Sequence, residues 1–205
     1  MATKKSNKKT LALLVFIAAV MMSAGAASAG DKAGNYFVRG FGSQPCERYL
    51  AERKAASPAY LFFREWANGY ITAYSQFGAE TYDAAADFDL DAISGVVATF
   101  CDGNKKVNFA SAVYAVTREL HKYRIESQSP VASIEAGKGK IQVFEETVRR
   151  VQQTLKQQGI YKGAVDGKFG KGTETAISAY QKKKKLPETG VPDRRTLLAI
   201  YQDWK

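Results

Sequence analysis

A single histidine, His121, two cysteines, Cys46 and Cys101, and four closely spaced aspartates, Asp83, Asp87, Asp89 and Asp91, are the side chains of this 205-residue chain best suited to chemistry. A catalytic zinc is held by several histidines or an equivalent ligand set, and one histidine does not supply it. A thiol nucleophile needs a free cysteine beside a histidine, whereas both cysteines here are expected to be consumed by a bridge. A calcium loop starting at Asp87 requires glycine at its sixth position and glutamate at its twelfth, and Ala92 and Ala98 stand there. The carboxylates are read instead as caps on a helix starting at Leu90, favoured by its positive N-terminal end. No metal and no cofactor is expected, and His121, following Leu120 on a helix, is read as a packing residue.

The elements that would position these groups begin after a targeting segment. Lys4, Lys5, Lys8 and Lys9 precede an apolar run from Leu11 to Met22 and the small-x-small sequence Ala27-Ser28-Ala29. The run falls well short of the roughly 20 residues that span a bilayer, so residues 1–29 are read as a cleaved signal peptide, leaving no transmembrane segment. The chain is then expected in the periplasm or at the cell wall. An even pair of cysteines in an oxidising compartment argues for one disulfide, Cys46–Cys101, worth roughly 4 kcal/mol in the chain-entropy view.

Charge is unevenly placed. Residues 30–140 hold 13 basic and 13 acidic side chains, whereas residues 141–205 hold 13 against 7. A positive field confined to the tail favours an anionic partner, which outside the cytoplasm means wall carboxylates or anionic lipid and not nucleic acid. Lys182 to Lys185 lie where a helix should end, a place where cations also interact favourably with the helix dipole.

Two helical blocks are expected. The Gly-rich segment 30–44 reads as flexible, and 127–140, with Ser, Pro and Gly and no helical period, reads as a linker. Between them, 45–126 forms one block. Cys46 opens a short helix, and Ser57-Pro58 is a helix start with Ser57 as N-cap. Phe62, Phe63, Trp66, Tyr70, Tyr74 and Phe77 recur at three- and four-residue steps and are expected to supply core. Leu90, Ile93, Val96, Val97 and Phe100 mark a third helix, and Phe109, Ala112, Val113, Val116 and Leu120 a fourth. The bridge would pin the first helix to the end of the third in a bundle without strands.

The block 141–205 contains a repeat. Gly167, Gly170, Thr173, Ala176 and Ile177 return 23 residues later as Gly190, Asp193, Thr196, Ala199 and Ile200. Each copy reads as a tight turn on a positive-φ glycine that feeds a helix, capped at Gly170 or Asp193. Val148, Val151 and Leu155 mark a preceding helix that should end at Gly159.

These residues, with Gln152, Tyr161-Lys162-Gly163, Asp166-Gly167-Lys168-Phe169-Gly170, Tyr180-Gln181 and Thr189-Gly190, resemble the small peptidoglycan-binding domain found on many wall hydrolases. The resemblance spans 148–200 and implies a three-helix fold that attaches to peptidoglycan. Lys185 stands where that family usually has glycine, and a left-handed conformation there costs roughly 1 kcal/mol for lysine. Most matched residues are architectural. Candidates for ligand contact are Tyr161, Lys162, Asp166, Lys168, Phe169 and Gln181: aromatic faces stack on sugars, and lysines meet stem-peptide carboxylates. Gln181 has a second reading, in which it caps backbone groups internally.

Cys46, Trp66-Ala67-Asn68-Gly69-Tyr70-Ile71, the aspartates and Cys101 resemble the HdeA-like group of periplasmic helical proteins over about 44–122. That likeness implies a disulfide-linked bundle and a protein-binding role. Glu126-Ser127 resembles the catalytic pair of lytic transglycosylases, but no glycine-rich motif follows it. The expected whole is all-α, a small disulfide-linked helical bundle followed by a three-helix peptidoglycan-binding domain. It is expected to be non-catalytic, anchoring an interaction domain for an envelope protein partner to the wall. An activator or accessory subunit of a wall hydrolase, and a wall-localised acid-stress chaperone, are the alternatives.

Overall fold

Short polar residues placed ahead of apolar runs start most of the helices. Ser57 Oγ accepts from the Tyr60 amide at the head of α2 (Pro58–Phe77), whose first residue is a proline that has no amide to satisfy. Asp89 caps α3 (Leu90–Gly103) through the Ala92 amide, and Asn108 caps α4 (Phe109–Leu120) through that of Ser111. Asp193 does the same for α7 (Arg194–Asp203) at Thr196. The remaining helices are α1 (Cys46–Lys54), α5 (Glu145–Gln157) and α6 (Lys171–Lys184).

The computed structural model describes residues 30–137 and 139–204. The signal-peptide reading of 1–29 lies outside them. Residues 30–38 belong to one unit, where the Asp31 carboxylate caps the amides of Ala33 and Asn35. Residues from Arg39 onward form the second unit, which holds every element named here.

Cys46 and Cys101 are bonded, with their Cα atoms 5.1 Å apart, and this ties α1 to the end of α3 as expected. Around the bridge Tyr49, Phe63 and Phe109 pack ring against ring, all fully buried, and the Tyr49 hydroxyl donates to the Ser94 carbonyl. The aromatic stripe on α2 divides. Phe63 is buried, Trp66, Tyr70 and Tyr74 are half-buried, and Phe62 and Phe77 are exposed. The buried line on that helix is Phe63, Ala67 and Ile71.

Two stretches differ from the sequence expectation. Within the segment read as flexible, Gly40–Ser43 form a 3-10 turn whose Phe41 packs on Phe62 and Phe63. The Trp66 indole donates to the Arg39 carbonyl, and a side chain at Gly42 would collide with the Trp66 ring. The stretch read as a linker folds as well: β1 (Val131–Ala136) and β2 (Gly139–Phe144) pair antiparallel from Val131↔Phe144 to Ala136↔Gly139. Ile134 and Val143 face inward onto Val148 and Val191, which closes a second small core. The physical reason is alternation, since Ala132, Ile134 and Ala136 fall on one face with Ile141 and Val143.

The helical blocks therefore meet instead of hanging on a tether. The buried Arg150 of α5 donates to the carbonyls of Tyr123 and Arg124, pairs with Glu146, and lies over the Trp204 ring. Tyr201 packs against Tyr123, with the rings tilted and their centroids 4.7 Å apart, and against Phe88, and its hydroxyl donates to the Ala86 carbonyl. The Asp87 carboxylate accepts from the Phe144 amide, and Arg194 Nη2 lies 2.7 Å from both carboxylate oxygens of Asp89. Desolvation raises the Asp87 carboxyl to about 6 against the pull of Thr147, Phe144 and Arg150. Among the described residues no helix is long and apolar enough to cross a membrane.

Candidate functional site

The repeat in the C-terminal lobe is built on two glutamines. Gln152, on α5, has no exposed surface. Its Oε1 accepts from the amides of Asp166 and Gly167 at 3.0 and 2.9 Å, and its Nε2 lies within 3.1 Å of Asp166 Oδ1, Lys168 O and Thr173 Oγ1. Gln181, on α6, repeats the arrangement one unit later. Its Oε1 accepts from the Gly190 amide at 2.9 Å, and its Nε2 faces Thr189 Oγ1, Val191 O and Thr196 Oγ1 at 2.8, 3.1 and 2.8 Å. A buried amide is tolerable only when its donors and acceptors are used, and here it also satisfies the turn amides of Asp166, Gly167 and Gly190.

The glycines explain why those turns fit. Gly167 has φ +78° and Gly190 φ +71°, the left-handed region that glycine enters without strain. A side chain at Gly167 would also meet the Glu145 carbonyl at 2.7 Å. The helices that follow start at Gly170 and Asp193, as the repeat predicts, and bury Thr173 and Thr196 against the two amides. Lys185 is left-handed, with φ 57° and ψ 35°, so the lysine does occupy a position that suits glycine.

On this scaffold the six sequence candidates separate. Gln181 is fully buried, and its amide bonds internally to Thr189, Gly190, Val191 and Thr196, as its capping reading describes. Asp166 is exposed, but its carboxylate accepts from the Lys168 amide and from Gln152. Those bonds hold it below the ordinary carboxylate range, so it serves the turn. Tyr161 and Lys162 line a shallow depression of about 440 Å3 with Gly163, Lys171, Gly172 and Thr175. The Tyr161 ring covers Gly163, and its hydroxyl donates to the Ala164 carbonyl. Lys168 and Phe169 line a different groove, of about 620 Å3, whose opposite wall is β1.

Most of the lining of that second groove was not singled out from the sequence, including Ile134 and Glu135 of β1, Glu145 at the start of α5, and Glu174 on α6. Alternation around Gly137 was the available signal for the first two. Nothing local marks the other two. The Lys182–Lys185 run is partly engaged, since Lys184 pairs with Asp203 at 2.8 Å and Lys183 donates to Gln158. Burial opposes ionisation of Asp203, and hydrogen bonds from Lys184, Tyr180 and Gln158 outweigh it, so its carboxyl lies below the usual range.

The other chemistry-bearing groups are distributed. His121 Nδ1 lies 3.3 Å from the Tyr74 hydroxyl, with the two rings edge to face. Glu126 pairs with Arg124. Among the described residues no cluster of three or more His, Cys, Asp or Glu side chains could hold a metal ion. Asp89 caps α3 as the sequence suggests, but Asp87 does not; it reaches across to the Phe144 amide instead.

Residues 145–200 match a family model described as "Putative peptidoglycan binding domain". Neither the curated proteins nor the solved structures return a match to the chain. The matched span begins at the first residue of α5 and takes in both glutamine-held turns. It leaves out the hairpin and all of α1 to α4.

Proposed function

We propose that this chain is an exported, non-catalytic protein that holds peptidoglycan with its C-terminal lobe and presents its disulfide-linked helical lobe to an envelope protein partner. One observation carries the reading: the span that matches the wall-binding family is the span organised by the two buried glutamines and their glycine turns. The turns are tied by hydrogen bonds to buried amides, and they and the loop before them leave Lys162 and Lys168 exposed and Tyr161 partly exposed. A rigid display of aromatic and cationic groups suits a polymer of sugars and acidic peptides, because less ordering entropy opposes binding. The excess of basic over acidic residues in 141–205 adds long-range attraction. The lysine-flanked apolar run before residue 30 supports export, and the sequence likeness to HdeA-like proteins supports a binding role for the first lobe.

Sedimentation with purified sacculi tests this. The chain from residue 30 onward is expected to pellet with sacculi in moderate salt and to release no soluble muropeptides. Release of muropeptides by the protein alone would turn the reading into an enzyme. Release only with an added hydrolase would make it an activator.

A further inference from the structure

Pairing β1 to β2 leaves the other edge of β1 without a strand. Among the described residues the backbone of Val131–Ala136 hydrogen-bonds only to β2. An open edge is a row of unused donors and acceptors, and an extended peptide can add to it as a further strand. The groove of about 620 Å3 follows this edge: Ala132, Ser133, Ile134 and Glu135 line it in succession, and no residue of β2 does. Side chains of consecutive strand residues point to opposite faces, so a cavity touching all four lies beside the strand and not above it.

The far wall is formed by the repeat turns. Gly167, Lys168 and Phe169 come from the first, Thr189 and Val191 from the second. Phe169 and Val191 give the groove an apolar floor shared with Ile134. Charges of both signs stand at its rim. The side chains of Lys168 and Glu145 make no ion pair or hydrogen bond among the described residues, and Glu174 pairs only with Lys171, at 3.1 Å. A cleft with a strand edge, an apolar floor and charges of opposite sign fits a short peptide that carries both carboxylates and an ammonium group. The acetamido groups of a wall glycan can hydrogen-bond singly, but the glycan has no continuous peptide backbone to follow the strand edge and no charges of both signs.

We propose that this groove binds the peptide stems of peptidoglycan as a third strand beside β1, with Lys168 meeting a stem carboxylate and Glu145 and Glu174 meeting a stem ammonium. The inference rests on the wall-binding reading and narrows it to peptide over glycan. It also gives the hairpin, which lies outside the family match, a part in recognition.

The test is a titration of the isotope-labelled chain from residue 30 onward with soluble stem peptides cut from sacculi by an amidase, followed by amide shifts and exchange. Shifts and slowed exchange concentrated in 131–136 and 167–169 are expected, with stems competing for retention on sacculi. Lys168→Glu, at an exposed position, should weaken stem binding about tenfold, equivalent to ~1.4 kcal/mol, without moving the melting temperature. Retention on sacculi that stems neither compete for nor accompany with shifts in β1 overturns the groove and leaves wall binding standing, most clearly if peptide-free glycan strands compete instead. No retention on sacculi removes both.

Discussion

The two lobes close their cores by different means. Around α1 to α4 the closure is covalent and aromatic: one disulfide, with Tyr49, Phe63 and Phe109 packed against one another. Around α5 to α7 an apolar core that buries Leu155, Ile177 and Ile200 is joined by two buried amides, Gln152 and Gln181, each inserted into a glycine turn and hydrogen-bonded to a buried threonine. Apolar packing is non-directional, whereas a buried amide accepts one register only, because any shift leaves amides unpaired. The lobe that holds the match to the wall-binding family is the one whose turns are held by buried amides.

The contrast can be broken by mutation. Replacing both cysteines with serine should lower stability by roughly 4 kcal/mol, read from denaturant midpoints. Because Arg150, Tyr201 and Asp87 join the lobes in one compact unit, α5 to α7 should unfold in the same transition. Two separated transitions would show that the lobes are independent after all. Gln152→Ala should cost about 3 kcal/mol, since it strips both the Asp166 and Gly167 amides of their acceptor. Gln181→Ala leaves one such amide, that of Gly190, and should cost less. Equal losses would contradict the accounting of turn amides.

The joint has its own signature. Burial raises the folded Asp87 carboxyl to about 6, so between about pH 4 and 6 the folded state holds a proton that the unfolded state has lost. Stability from this group is therefore greatest below the ordinary carboxylate range and declines as pH rises toward 6, by on the order of 3 kcal/mol at most. Asp89 and Asp203 act in the opposite sense, since ion pairing holds both low in the folded state and their contribution is lost on acidification. Asp87→Asn should remove the first effect and leave the second, which melting curves from pH 2 to 7 would resolve, the first between about pH 4 and 6 and the second below about pH 4. The smallest effect is expected at Lys185. Glycine there should stabilise the lobe by about 1 kcal/mol, because the position is already left-handed.

Much of this was legible where the determining chemistry is local. Ser57, Asp89 and Asp193 cap the helices they precede, the 23-residue repeat places both glycine turns, and the unusual residue at 185 announces its own strain. The two cysteines pair as their number suggests. The hairpin was obscured because Ser, Pro and Gly in 127–140 read as a linker, although Ala132, Ile134 and Ala136 alternate toward the core. The joint was not legible at all. Arg150 meets carbonyls 26 and 27 residues away, and no local pattern marks a charged side chain that ends buried. The candidate site shared this limit: Tyr161, Lys162, Lys168 and Phe169 were found on the repeat, while the groove's other wall comes from outside it.

The central claim is that the surface displayed by the glycine turns grips the wall. Retention on purified sacculi in moderate salt, compared between the chain from residue 30 onward and its Lys162→Glu/Lys168→Glu variant, tests it most directly. Strong retention of the first and loss of at least tenfold in the second, with both equally folded, is the predicted result. Equal retention of the two, or none by either, would contradict it.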